Sequence, residues 1–269
     1  MTLKMLAKIN VGKGGFNSPG ESSVTDIEPI DFGALSEAEL KAMLAAGERV
    51  LECVRVLGNT SDNVVGELLR DAGTFYEWDH YPAGDVYDTV SHSQYYYHAH
   101  PKDERPGEHG HFHTFLRPRG MPPGVEPAPV PDFQEPEGEN DALSHLIAVS
   151  CDKQGNPIKL FTTNRWVTGE VWYSAADVRR MINYFAIDHV RPSWAVNLWL
   201  TNLLILFRPQ IRGLIDLRDQ TIAEWTRDRG NENVYEDRAL EVTSETAISV
   251  IDQITVVRAA LADKETEPA

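Results

Sequence analysis

Apolar residues recur at helical spacing near both ends of the chain, and between them the pattern shifts to runs of aromatic and β-branched residues. Ser36 opens the first helical stretch. Glu39, three residues on, completes a capping box, and Leu40, Met43, Leu44, Leu51 and Val54 form an apolar stripe that Gly58 closes. A short second helix is predicted over 62–70, capped by Ser61. Residues 1–34 are rich in Gly and Ser and read as a flexible lead-in. The remainder is expected to be a single α+β domain over 35–262, with 263–269 as a tail.

From Thr74 onward aromatic and β-branched residues predict strands, over 94–100 and 110–117, joined by a charged loop. A Pro/Glu-rich stretch over 118–140 is too polar for core and reads as a surface loop or a lid. A second hairpin is expected from strands at 146–150 and 158–162, because the intervening 152–157 is dense in turn residues. After Trp172 helices return. Ser174 caps one whose stripe is Val178, Met181, Ile182 and Phe185, and Pro192-Ser193 opens a long apolar one that Pro209 ends or kinks. An amphipathic helix over 210–228 follows. The last helix, over 245–262, aligns Ala247, Val250, Ile251, Ile254, Val257 and Leu261, either as an internal face or as the seam of a homodimer through the C-terminal helices. The predicted fold class is therefore α+β: a small antiparallel sheet of about four strands in two hairpins, flanked by N-terminal and C-terminal helices.

Charge narrows the function. Acidic residues outnumber basic ones to give −16 at pH 7. That balance opposes binding to nucleic acid phosphates or to an anionic membrane surface, both of which need basic patches. The most apolar run, 194–207, is too short to span a bilayer, and residues 1–17 lack the apolar core of a secretory leader, so the expected compartment is the cytoplasm. Cys53 and Cys151 lie far apart, which argues against a thiolate zinc site.

The candidate chemistry is in the histidines. Of nine, six fall between His92 and His113. Side chains on a strand alternate faces, so His98 and His100 share one face and His111 and His113 share another. If the two strands pair with these faces together, four imidazoles converge. The opposite face then holds Tyr95, Tyr97, Ala99, Phe112, Thr114 and Leu116, an apolar set suited to covering helices. His145 opens the next strand and is a further metal ligand candidate. Glu108 and His109 in the adjoining loop are candidates for catalytic proton transfer. Arg165, beside Trp166, could clamp a substrate or cofactor carboxylate or phosphate. His80, His92 and His189 read as structural. Imidazole without thiolate suits one transition metal ion (iron, copper or zinc) and hence an oxidoreductase, an oxygenase or a hydrolase acting on a small-molecule substrate.

The run His109-Gly110-His111-Phe112-His113 also resembles the His-x-His-x-His motif of the histidine-triad nucleotide hydrolases and transferases. The resemblance covers about seven residues, and Gly110 and Thr114 stand where that family has bulky apolar residues. It implies that His111 is a nucleophile toward an α-phosphate. A third reading is non-catalytic: a protein that binds a metal or haem, or a structural subunit whose histidine face is solvated.

Overall fold

The computed structural model describes residues 27–101, 103–230 and 233–266. Most of the expected lead-in, 1–26, and the last three residues of the expected tail lie outside the described residues. The element order is α1 (Glu37–Gly58), α2 (Val64–Leu69), β1 (Tyr81–Tyr87), β2 (Ser93–His98), β3 (Gly110–Leu116), β4 (Ser144–Cys151), β5 (Pro157–Thr163), α3 (Arg165–Thr168), α4 (Ala175–Met181), α5 (Trp194–Leu206), α6 (Arg208–Arg229), β6 (Val242–Ala247) and α7 (Val250–Thr266). The α+β class holds, but the sheet has six antiparallel strands, in chain order β1 to β6, where about four were expected. No helix among the described residues is long and apolar enough to cross a membrane.

The two unexpected strands lie at the edges, which explains why pattern reading passed over them. β1 contains Pro82 and Gly84 and breaks register between Tyr81 and Val86; an edge strand tolerates a missing donor and a bulge that a central strand does not. β6 is Val-Thr-Ser-Glu-Thr-Ala and shows no apolar alternation. Its buried hydroxyls hold it instead: Thr162 Oγ1 lies 2.7 Å from Thr243 Oγ1 and 2.6 Å from Ser244 Oγ, and Ser244 donates to the Leu214 carbonyl. The last helix consequently starts at Val250, not near 245, and runs to Thr266.

Helix α5 packs on β2 and β3 and α6 on β5 and β6, while α1 packs on α5 and α7. The capping box predicted at Ser36 and Glu39 is present. The buried face of α1, however, is Leu40, Met43, Ala46, Gly47, Val50, Cys53 and Leu57, while Leu51 and Val54 are exposed. The helices meet through small residues: a Cβ on Gly47 would lie 2.6 Å from Ile254 Cγ1. Helix α2 is capped by Asn63, not Ser61, because the Asn63 carboxamide oxygen accepts from Val65 and Gly66. The long apolar helix ends at Leu206, just ahead of Pro209 as expected, and Pro209 sits in the first turn of α6, where its missing N–H costs nothing.

The central helix α5 is tied to the sheet by a satisfied polar group. Tyr95 donates from Oη to Asn197 Oδ1 at 2.7 Å, and Asn197 Nδ2 donates to the carbonyls of His189 and Arg191. Beside it Phe112 packs on Trp199 with ring centroids 5.6 Å apart. The segment over 118–140, expected as a loop or lid, packs elsewhere: Val130 joins Trp172, Ile222, Val234 and Leu240 in a second, smaller core.

Register follows the predicted faces. β2 and β3 pair with Tyr97 opposite Phe112, Tyr95 opposite Thr114, Tyr96 opposite His113 and His98 opposite His111. Gly110 begins β3 directly under the Tyr97 ring. A Cβ at Gly110 would meet the His98 carbonyl oxygen and would lie 2.5 Å from Tyr97 Oη and 2.7 Å from its Cζ. Gly110→Ala is therefore expected to destabilise the protein by about 1–3 kcal/mol, the range for overpacking a tight site. Urea unfolding measures this, and an unchanged midpoint would mean that β2 and β3 do not approach this closely.

Candidate metal centre

The alternation that sends Tyr95, Tyr97 and Phe112 to the helices sends imidazoles to the other face of the same strands. His98 from β2 and His111 from β3 stand opposite each other, their Nε2 atoms 2.7 Å apart. His100, just past the end of β2, lies with its ring centroid 5.2 Å from His98 and 5.3 Å from His111. One nitrogen from each of these three lies within 4.8 Å of the others, so His98, His100 and His111 form a group that could hold a metal ion.

The surroundings fix the rings. Glu108 Oε1 accepts from His111 Nδ1 at 2.6 Å, and both side chains are buried. This places the His111 proton on Nδ1 and leaves Nε2 as a lone pair facing His98. Burial, the largest single influence, would raise the proton affinity of Glu108, but the bond and charge of His111, the nearby Ser150 hydroxyl and the charge of Arg105 together outweigh it and the pKa falls to about 2. Glu108 is thus a carboxylate that orients a ring. His100 Nδ1 sits 3.2 Å from Glu104 Oε2, which directs the other ring nitrogen away from that contact. Trp78 covers His100 with centroids 4.2 Å apart. Its own N–H donates to the Ala99 carbonyl, and it holds a positive φ of 72°, an uncommon conformation for a bulky residue.

Burial keeps His98 and His111 neutral. It lowers the pKa of His98 to about 2 and of His111 to about 4. Neutral rings are what a metal requires.

His113 and His145 are close by but outside the three-histidine group. His113 Nδ1 meets His145 Nε2 at 3.0 Å, and its own Nε2 is buried with no partner among the described residues. Buried polar groups are rarely left so. Burial depresses His113 well below an ordinary imidazole and His145 to about 3. The His145 backbone N–H donates to Glu170 Oε2 at 2.7 Å.

The remaining candidates are placed elsewhere. His109 shares the parity of His111 and His113, yet its ring turns off their face: its Nδ1 lies 2.6 Å from Tyr97 Oη, and Phe75 packs nearby. Arg165 starts α3 beyond the end of β5 and pairs with Glu236, away from the histidines. Conversely, several neighbours of the cluster carry no signal in sequence. His80, read as structural, stacks on Tyr96 with centroids 3.6 Å apart and approaches His98. Trp78, Arg105 and Glu170 sit in unpatterned segments, and only folding brings them to the face. A shallow cleft of about 340 Å³, lined by His100 and Glu108 among others, opens at this end of the hairpin.

These features define an α+β protein with a buried three-histidine group on the open face of an antiparallel sheet. The chain belongs to the family described as Domain of unknown function (DUF6969), which matches residues 44–248 and so spans β1 to β6 and the histidine group. No curated protein matches the chain, and no solved structure does.

The electrostatics beside the cluster make one prediction. Burial raises the Glu170 pKa to about 8, against the opposing pull of Arg218 and the His145 N–H. The folded state therefore keeps a proton that the unfolded chain releases near 4.5, and Glu170 costs stability progressively as pH rises from about 4.5 toward 8. Glu170→Gln is expected to gain on wild type as pH rises through this window. Unfolding midpoints at pH 5 and pH 9 read the difference, and an equal effect at both would contradict a proton held at Glu170.

Proposed function

We propose that this chain is a metal-dependent enzyme holding one transition metal ion on His98, His100 and His111. The observation that carries the reading is the pair of opposed Nε2 atoms of His98 and His111, with the His111 ring locked by Glu108. A ring nitrogen bonded to a carboxylate presents its other nitrogen with a fixed orientation and raised basicity, the arrangement found around metal-bound histidines. Without an ion, that pair needs one nitrogen protonated. His111 Nδ1 already donates to Glu108, so the proton between them belongs to His98.

Three protein ligands favour catalysis over storage, because they leave a coordination position open to water or substrate. The cleft touching His100 gives a small-molecule substrate a path to that position. Zinc there would supply a water activated for hydrolysis, and iron or copper would supply redox or oxygen chemistry. The chain's own residues contribute orientation and exclusion of water. Glu108 fixes His111, Trp78 covers His100, and Phe161 packs against His111 with centroids 5.0 Å apart.

Purified protein is expected to contain close to one metal ion per chain by elemental analysis. His98→Ala and His111→Ala should each abolish retention, while Glu108→Gln should weaken binding about 10–100-fold, as removal of a partner to a ligand does. Circular dichroism confirms that each variant folds. Metal binding that survives both histidine replacements would overturn the reading. Zinc in the wild type would point to hydrolysis, and iron or copper to redox chemistry.

A further inference from the structure

We propose that the cleft beside the histidine group binds a small organic anion through Arg105, so that the substrate carries a carboxylate. This deepens the metal reading above and rests on it. The cleft holds two basic residues, Arg105 and Lys159, and four acidic ones. Net count alone would suggest a cationic ligand, but the pairing reverses that conclusion. Glu108 is committed to His111 and Glu104 to His100. Glu245 accepts from Lys159 at 2.8 Å, and Glu241 pairs with Arg105. Arg105 and Lys159 thus neutralise two of these carboxylates, and a divalent ion on the histidines would offset the charge of the other two.

Arg105 keeps donors beyond its one ion pair. Among the described residues only Glu241 accepts from it, through Nη2, which leaves Nε and Nη1 without a protein acceptor. The guanidinium is nonetheless fixed, lying 5.0 Å from the centroid of the Phe161 ring, the same ring that packs on His111. A held, planar guanidinium with free donors matches a carboxylate, which it can grip with two parallel bonds. A divalent ion on the histidines would add positive charge on the same side. At about 340 Å³ the cleft is at the small end of ligand sites, which suits a compact organic acid.

The test uses the full chain and acetate as the probe, with acetamide as its neutral counterpart. Acetate is titrated into Co²⁺-loaded protein, read by the visible bands of the metal, and into metal-free protein, read by the side-chain Nε–H resonance of Arg105. Acetate is expected to shift both signals saturably, and acetamide neither. Arg105→Gln should weaken acetate binding about tenfold or more, the effect of losing a charged hydrogen bond, with Co²⁺ affinity unchanged. Arg105→Lys should fall between, since it keeps the charge but loses the fork. Acetate binding equal in wild type and Arg105→Gln, or acetamide binding as well as acetate, would overturn the proposal. Failure of the wild type to bind Co²⁺ would overturn the metal reading instead, and the Arg105 resonance in metal-free protein would still decide whether the anion binds.

Discussion

The site depends on how closely two strands approach at one point. Tyr97 must lie flat over the start of β3 for its ring to pack on Phe112, and only a residue without a side chain leaves room there. Gly110 supplies that room, and the consequences run in both directions along the hairpin. With Tyr97 opposite Phe112, the aromatic side faces α5 and buries Tyr95 and Phe112 beside Trp199. With the same register, His98 is placed opposite His111 on the reverse face. A slip of one residue would exchange the faces, putting imidazoles among the helices and tyrosines against the charged loop. Core packing thus selects the register, and the register assembles the histidine group.

Burying four imidazoles has an energetic cost that the fold offsets only in part. His98 and His111 face each other, and His113 and His145 share a bond, but the distal nitrogen of His113 has no partner. Glu170, also buried, keeps one oxygen unpaired and retains its proton. An orphaned buried polar atom costs about 1–3 kcal/mol. Orphaned buried atoms also occur away from this face, Trp199 Nε1 and Arg208 Nε among them, whereas Asn197, Thr243 and Ser244 are satisfied.

The central hairpin was legible in the sequence because two rules acted together there. Alternation separated His98 and His111 from Tyr97 and Phe112, and the apolar half could belong only to a core. The capping box at Ser36 and the N-cap at Ser174 were legible because their signal is local. Interfaces made through a small residue were not: Gly47 brings α1 against Ile254 of α7 and Leu206 of α5, whereas a count of large apolar residues selects Leu51 and Val54, which are exposed. Edge strands were not legible either, since β1 tolerates Pro82 and β6 is held by hydroxyls. The neighbours of the site, Trp78, Arg105 and Glu170, come from segments with no periodicity, so only tertiary structure relates them to the histidines.

Periodicity also has a limit inside the motif itself. His109, His111 and His113 alternate as three residues of one strand should, and on that basis resemble a histidine triad. In the fold, β3 begins only at Gly110, and the His109 ring bonds Tyr97 on the far side. The motif is thereby split, and the imidazoles that meet come from β2, the residue past its end and β3. Chemistry separates the two arrangements further. A nucleophile needs a nitrogen that a phosphate can approach, but His111 is 1% exposed and its Nε2 lies 2.7 Å from another imidazole. A nitrogen that already accepts from another imidazole is poorly placed to attack a substrate, and once His98 gives up that proton the two nitrogens are well placed to share an ion. The crossing of strands, more than the spacing within one strand, therefore gives this histidine-rich segment its chemical character.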